Sequence, residues 1–306
     1  MKQQLLILLG IVLAIPAFAQ KPDSTLAIVH YKFSHIRDTN ARDKPYTENM
    51  VLLVGQNASV YKSYDRKMQM DAMRKDAMAQ MQAGGPIKIT SRGGSTSSEY
   101  FQYPNEGKMI RKESIMTTYL IDEPFPVIQW KISADTMTIR NLNCQKATGH
   151  FKGRDYTAWF CAELPYRSGP WKLSGLPGLI VEAYDTKKDV EFKFDGIEQV
   201  AKSTKPAEET AMAAPGGAHV FINGMGGGND NPAIIALPDN GVRTTPKEFD
   251  NLREAMRKDP NAFMQSAMAG SGMNVRPGGG QITTNIRRAD GPVTVINNPL
   301  ELPEKK

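Results

Sequence analysis

Residues 141–163 read NLNCQKATGHFKGRDYTAWFCAE, which is the clearest structural signal in the chain. Two β-rich runs lie on either side of Lys152 and Gly153. A two-residue turn at this dipeptide predicts an antiparallel hairpin in which Phe151 faces Arg154. Lys-Gly is not a favoured pair for such a turn, so a longer turn with a bulge is the alternative.

The hairpin brings the two cysteines of the chain together. In the register set by a two-residue turn, Cys144 and Cys161 form a non-hydrogen-bonded pair, whose Cα atoms lie about 4.5 Å apart. This separation is near the short end of the range for disulfides. We therefore predict a cross-strand Cys144–Cys161 disulfide. Peptide mapping with and without reduction tests it, and two separately alkylated thiols would contradict it.

Short β-rich runs continue on both sides of the hairpin, separated by turn residues. They follow one another without long helices between them, which is typical of an antiparallel sheet. The sequence predicts a mainly β fold, either a large curved antiparallel sheet or a partly open barrel, with a few short inserted helices. The predicted runs are 26–36, 49–54, 58–64, 110–121, 127–132, 136–151, 154–163, 179–184 and 190–194.

Three insertions interrupt the β-rich pattern, at about 65–86, 203–240 and 264–281. The first predicts a helix over 66–83 with Asp65 as its N-cap, because apolar residues recur at helical spacing. The second is rich in Ala, Gly, Pro and Met, a composition typical of a long loop. The third is a Gly-rich linker after two short helices.

The first of those two helices has a strong start signal. Thr245-Pro246-Lys247-Glu248 is a capping box with proline at the first helical position. Apart from the insertions, the remaining β-rich chain has the size of one domain. We predict a signal peptide over 1–19 and a single domain over 20–306.

The signal peptide is predicted from three features of the first nineteen residues. A basic start precedes an apolar run at 5–15, and Ala17-Phe18-Ala19 is a small-residue cleavage pattern. We expect an exported protein, periplasmic or outer-membrane associated, with no transmembrane segment in the mature chain. In such an oxidising compartment, two cysteines favour a disulfide over a metal or redox site.

Charge and motifs argue against several classes of function. The chain has 38 Lys+Arg against 32 Asp+Glu. The basic residues are scattered without interleaved aromatics, so no nucleic acid partner is expected. The chain has no H-E-x-x-H, C-x-x-C, G-x-S-x-G or P-loop signature. We predict a protein that is not an enzyme and has no cofactor, with a hydrolase of unrecognised type as the alternative.

A glycine-rich hexapeptide follows the hairpin. Proline followed by glycine predicts a type II turn over 176–179, which feeds an apolar strand. We interpret the hexapeptide as a corner between core strands, with a binding loop as the alternative. Its residues are Gly175, Leu176, Pro177, Gly178, Leu179 and Ile180.

With this hexapeptide and its flanking blocks, the chain resembles the GLPGLI family of exported Gram-negative bacterial proteins. The resemblance implies an envelope location and a fold, but no chemistry, because the family has no established activity. Its members are often encoded near TonB-dependent receptors, so the resemblance implies another envelope or outer-membrane protein as partner. The blocks that carry it are 124–130, 144–147, 153–159, 168–173, 175–180 and 297–302.

Methionine is unusually frequent, with 16 in the chain, and most lie in the insertions. Thioether ligands select Cu(I), so Met70, Met73, Met78 and Met81 are candidate ligands. The alternative is that these side chains pack a helix face or form an adaptable apolar patch.

The function expected from the sequence is therefore a binding or accessory role in the cell envelope, with the ligand unidentified. Two further possibilities stay open: Cu(I) binding through the Met-rich insertions, and carriage of an apolar ligand or lipoprotein. The carrier rests on analogy with folds that enclose apolar ligands.

Overall fold

The computed structural model describes residues 20–82, 94–115, 117–200, 231–259, 262–263, 266 and 295–304. The predicted signal peptide, residues 203–230 of the second insertion and almost all of the third insertion lie outside these ranges.

Within the described ranges, twelve strands form one sheet, and the other two form a small antiparallel pair. The order across the large sheet is β14, β7, β6, β5, β4, β3, β2, β12, β11, β10, β9, β8. The strands are β1 Asp23–Ser24, β2 Ala27–His35, β3 Tyr46–Val54, β4 Ser59–Ser63, β5 Glu99–Tyr103, β6 Lys108–Ile115, β7 Thr117–Pro124, β8 Lys131–Ile139, β9 Leu142–Phe151, β10 Arg154–Cys161, β11 Leu179–Asp185, β12 Val190–Gln199, β13 Ile234–Ile235 and β14 Val242–Thr244.

The large sheet is open, with β14 and β8 at its edges, so the predicted mainly β fold is confirmed in its open-sheet form. Neighbouring strands are antiparallel except β14, which pairs in parallel with β7. The pairing at the centre of the sheet joins residues that are far apart in the chain, because β2 pairs with β12, at Val190–Gln199. Within the described residues, no helix has both the length and the apolar character that a bilayer crossing requires.

Apolar residues bury both faces of the central strands. In β2, Val29, Tyr31 and Phe33 alternate with more exposed residues and belong to the larger core cluster. In β3, consecutive residues are buried, because Leu52 lies in the larger cluster and Leu53 in the smaller one. A continuous apolar run is typical of a strand covered on both faces.

The predicted hairpin register is confirmed, with Phe151 opposite Arg154. Lys152 and Gly153 both have positive φ, as a two-residue turn with matching twist requires. The single run predicted over 110–121 is wrong, because it forms two antiparallel strands, β6 and β7, on either side of residue 116.

The single run predicted over 136–151 is wrong as well, because it forms parts of two antiparallel strands, β8 and β9, with a turn at Arg140 and Asn141. Other strand predictions also need correction. Strand β8 begins only at Lys131, so most of the run predicted over 127–132 is not strand. Strand β5 is not among the predicted runs, and β13 lies inside the loop predicted over 203–240. Strand β13 has two residues and pairs with β1, near the other end of the chain, so its own sequence carries little strand signal.

In the part of the chain that the structure describes, two α-helices flank the sheet. Helix α1 spans Tyr64–Gln82, close to the predicted 66–83. Its first turn is capped by Ser63, whose Oγ accepts from the Arg66 amide at 2.9 Å. The prediction of Asp65 as N-cap is wrong, because its carboxylate accepts from the Asn49 amide at 2.8 Å.

Helix α2 spans Pro246–Lys258 and confirms the predicted capping box. The Glu248 amide donates to Thr245 Oγ1 at 3.3 Å, and the Thr245 amide donates to the Glu248 carboxylate at 2.9 Å. Phe249 is buried, with its ring edge-on to Tyr119 at 5.6 Å between centroids. This contact holds α2 against β7.

Candidate functional site

A mostly apolar cavity of about 660 Å³ lies against one face of the central strands. The sheet, helix α2 and the C-terminal segment, which we define as residues 295–304, line it together with loop residues that include Arg37, Trp171 and residues 95–98. Helix α2 contributes Phe249, Arg253 and Met256, and the C-terminal segment contributes Leu300 among others. Pockets of this size and character are typical of small-molecule sites.

One wall of the cavity is a cluster of four aromatic rings centred on Phe192. The ring of Phe192 stacks on Phe33 at 5.1 Å and on Trp171 at 6.4 Å between centroids. Tyr61 meets Phe192 edge-on at 6.3 Å. These buried rings fix one another and give the cavity a rigid wall.

Trp171 in this wall has an unusual backbone conformation. Its φ of 55° lies in the left-handed region, which is rare for a bulky residue. Its carbonyl accepts from Gln102 Nε2 at 2.8 Å, which helps to hold this conformation. Such a conformation costs about 1–3 kcal/mol, and residues that adopt it cluster at functional sites.

Three buried polar atoms of the lining residues have no hydrogen-bond partner among the described residues: Trp171 Nε1, Tyr61 Oη and His35 Nε2. Burial raises the pKa of Tyr61 well above its ordinary value, so its phenol stays protonated at neutral pH. An unsatisfied buried polar group costs about 1–3 kcal/mol. This wall is therefore not arranged for maximum stability.

His35, in the same wall, makes the free energy of unfolding depend on pH. Burial, and next the guanidinium of Arg154, lower the pKa of His35 to about 4. Its pKa in the unfolded chain is about 6.5, so between these values the unfolded state binds more protons. We expect the resulting stabilisation, about 3 kcal/mol, to be present above about pH 6.5 and lost as pH falls towards 4.

Urea unfolding of the wild type and of His35→Gln across this pH range measures the loss. The variant is expected to show the smaller decrease in the free energy of unfolding. His150→Gln is the control, because hydrogen bonds from Asp155 and Glu304 raise the pKa of exposed His150. Equal decreases in the wild type and His35→Gln would contradict the prediction.

Two guanidinium groups at the cavity lie on aromatic rings. The Arg37 guanidinium carbon is 3.3 Å from the centroid of the Tyr46 ring. That of Arg253 is 5.3 Å from the centroid of the Phe249 ring. Among the described residues, Arg37 has no carboxylate within ion-pair distance, and Arg253 has only Asp250, at 3.8 Å.

A second, polar cavity of about 500 Å³ adjoins the first and shares four lining residues with it. Lys172 lies between two carboxylates, with Nζ 2.5 Å from Glu123 and 2.6 Å from Glu301. Arg111 contacts both Glu123 and Glu113. The shared residues are Ser98, Tyr100, Glu113 and Arg253.

The basic side chains set the protonation of Glu123. Burial alone would raise its pKa, but Lys172 and Arg111 outweigh burial and hold the pKa below its ordinary value. Glu123 is therefore ionised at neutral pH. The polar cavity thus presents charges of both signs, and each of its carboxylates is paired with a basic side chain of the protein.

The C-terminal segment is fixed to the sheet by Arg154. Its guanidinium donates to Asn298 Oδ1 at 2.7 Å and to the carbonyls of Pro299 and Leu300 at 2.6 and 3.0 Å. The same group pairs with Asp185 at 2.6 Å, and both side chains are buried. Arg154 therefore holds the segment that forms part of the cavity wall.

The hexapeptide 175–180 lines neither cavity. The predicted type II turn is wrong, because Gly178 does not have positive φ, whereas Gly175 has a φ of 96°. Gly178 is needed for close approach, since an added Cβ would lie 2.2 Å from the Cys161 carbonyl oxygen. Leu179 and Ile180 are fully buried, as a corner between core strands requires.

The two cysteines lie on adjacent strands, next to the Gln145–Phe160 pair. Cys144 and Cys161 are buried free thiols in the structure. Burial, and next the neighbouring Cys161, raise the pKa of Cys144 to about 11, so little thiolate forms at neutral pH. The disulfide between them stays a prediction.

The candidate Cu(I) ligands lie on or beside α1. Met70 and Met73 are half-buried and Met78 is exposed, while the side chain of Met81 is outside the described residues. Buried Ala77 shares the face of Met70 and Met73, as packing of a helix face requires. Cu(I) binding stays a prediction, and no described group of three or more His, Cys, Asp or Glu could hold a metal ion.

Sequence reasoning did not single out the residues of the cavity. Trp171 falls inside a quoted block, 168–173, but nothing local marks it as a wall residue. Arg37, Phe192 and Arg253 come from separate parts of the chain. Phe249 is the lining residue that the sequence could have indicated, because it lies on the apolar face of the helix that the capping box predicts.

The comparison with protein families gives a match only over a short stretch of the chain. A family model described as a protein of unknown function (Porph_ging) matches residues 150–182, which include the hexapeptide. No curated protein matches the chain.

Among solved structures, two crystal structures of PNGF-II are similar to this chain. Both are 9% identical over 74% of this chain, with TM-scores of 0.45 and 0.44. The matches cover 33% and 32% of those chains, so this chain spans about a third of their length.

Proposed function

We propose that this chain is an exported, non-enzymatic binding protein of the cell envelope, which holds a ligand with an apolar body in the cavity beside Trp171. The observation that carries the proposal is the cavity itself, about 660 Å³ in volume and mostly apolar. Its rigid aromatic wall pre-organises the site, which reduces the entropy lost on binding.

The location is proposed from sequence features. The signal-peptide pattern at 1–19 supports export, to the periplasm or the outer membrane. The resemblance to the GLPGLI family supports an envelope role, with another envelope or outer-membrane protein as partner. Cu(I) binding by the Met-rich insertions remains the alternative, supported by composition and not by the cavity.

The neutral fluorescent probe N-phenyl-1-naphthylamine tests the proposed cavity directly. We expect it to bind with one-to-one stoichiometry. Met256→Trp places a larger side chain in the wall contributed by α2. This variant is expected to weaken probe binding by about tenfold, because the added ring occupies ligand volume.

Ala255→Trp is the matched control. It adds the same ring to the neighbouring, exposed position of the same helix, outside the residues that line the cavity. Its affinity for the probe should equal that of the wild type. Failure of the wild type to bind the probe, or equal binding by the two variants, would contradict the proposed function.

A further inference from the structure

The charges around the two cavities point to the class of ligand. Among the described residues, five basic side chains and three carboxylates line the cavities. The carboxylates are Glu113, Glu123 and Glu301. The basic side chains are Arg37, Arg111, Lys152, Lys172 and Arg253.

Each carboxylate already has a basic partner within the protein. Glu113 pairs with Arg111 at 2.7 Å, and Glu123 pairs with Lys172 at 2.5 Å. Glu301 pairs with Lys172 at 2.6 Å and with Lys152 at 3.1 Å. Among the described residues, these pairings leave Arg37 with no carboxylate within ion-pair distance and Arg253 with only Asp250, at 3.8 Å.

The geometry of these two arginines suits an anion. A guanidinium that lies over an aromatic ring keeps its edge N–H groups available, and that edge matches a carboxylate or phosphate bidentately. Arg37 lies over Tyr46 in this way, and Arg253 lies near the face of Phe249. The sheet-side Arg37 and the helix-side Arg253 both line the apolar cavity.

We infer that the ligand is an anionic amphiphile, whose apolar body lies against the aromatic wall and whose carboxylate or phosphate group binds Arg37 and Arg253. The inference rests on the proposed function, since it assigns a ligand class to the same cavity. The unpartnered indole N–H of Trp171 in the same wall is a further donor to an anionic oxygen.

Displacement of N-phenyl-1-naphthylamine by single-chain amphiphiles of equal length tests the ligand class. Dodecanoate and dodecyl phosphate, each below its micelle concentration, are compared with dodecanol and dodecylammonium. We expect the two anions to displace the probe at about tenfold lower concentration than dodecanol, and dodecylammonium to be the weakest. The relative order of dodecanoate and dodecyl phosphate identifies the preferred head group.

Variants assign the preference to the two arginines. Arg253→Gln, at a position of α2 that lines the cavity, is expected to weaken dodecanoate binding by about tenfold and to leave dodecanol unchanged. Arg37→Gln should act in the same direction, with its fold checked by circular dichroism. Arg257→Gln is the control, because this residue is on the same helix, outside the cavity lining, and pairs with Glu254.

The outcomes separate this inference from the proposed function. Equal displacement by dodecanoate and dodecanol, with the probe still bound by the wild type, would overturn the inference and leave the proposed function intact. The same holds if Arg253→Gln and Arg257→Gln bind dodecanoate equally. Absence of probe binding by the wild type would overturn both.

Discussion

Arg154→Met is expected to lower the free energy of unfolding by about 3–5 kcal/mol. The substitution leaves the carboxylate of Asp185 buried, at 5% side-chain exposure, without its ion-pair partner. It also removes the hydrogen bonds that Arg154 donates to Asn298 Oδ1 and to the carbonyls of Pro299 and Leu300. Arg154→Lys should also be strongly destabilising, because an ammonium cannot reproduce the forked contacts of a guanidinium.

Arg243→Met is the matched control for this prediction. Arg243 pairs with Asp122 at a similar distance, 2.7 Å, but both side chains are exposed, at 42% and 53%. We expect it to change the free energy of unfolding by about 1 kcal/mol or less. Urea unfolding followed by circular dichroism measures both variants.

Hydrogen exchange gives a second readout. In the wild type, the amides of Asn297 and Asn298 donate to the carbonyl of Arg37. The amide of Leu302 donates to the carbonyl of Lys152. In Arg154→Met these amides should exchange faster, because the C-terminal segment detaches before global unfolding. If Arg154→Met and Arg243→Met destabilise the protein equally, the proposed anchoring role of Arg154 is wrong.

Gly178→Ala is expected to destabilise the protein by about 3 kcal/mol or more. An added Cβ would lie 2.2 Å from the carbonyl oxygen of Cys161, and that oxygen is part of the backbone. The same oxygen accepts from the Leu164 amide at 3.3 Å, so a shift would disturb the turn that follows β10. Relief therefore requires displacement of buried backbone.

Gly107→Ala separates the effect of a steric clash at the added Cβ from the effect of a left-handed backbone conformation. Gly107 has a φ of 59°, and nothing lies within 4 Å of an added Cβ. We expect this substitution to destabilise by about 1–2 kcal/mol, through the left-handed backbone alone. Thermal unfolding compares the two variants, and an equal loss would show that close packing is not the reason for Gly178.

The features predicted correctly from the sequence are local ones. The hairpin at 141–163 depends on residues that are neighbours along the chain, and the capping box of α2 depends on Thr245 and Glu248. Helix α1, at Tyr64–Gln82, lies close to the predicted 66–83, and its signal is the spacing of residues within one segment. In each case the physical cause of the structure lies within a few residues of the signal.

The features that were missed depend on distant partners. The run 110–121 is continuously β-rich, so nothing in its composition reveals that it forms two antiparallel strands, β6 and β7. Asp65 is a good N-cap by type, but Asn49 on β3 binds its carboxylate. The cavity joins Arg37, Trp171, Phe192 and Arg253, whose proximity is created only by the strand order.

The central pairing of β2 with β12 also has a kinetic consequence. Tyr31 donates to the carbonyl of Ile180, which is 149 positions away in the chain. Asn298 donates to the carbonyl of Ile36 over 262 positions. Chains with such high contact order fold slowly, on the order of milliseconds to seconds, because long loops must close first. The aromatic wall of the cavity therefore assembles late in folding, and the ability to bind a ligand should appear only at that stage.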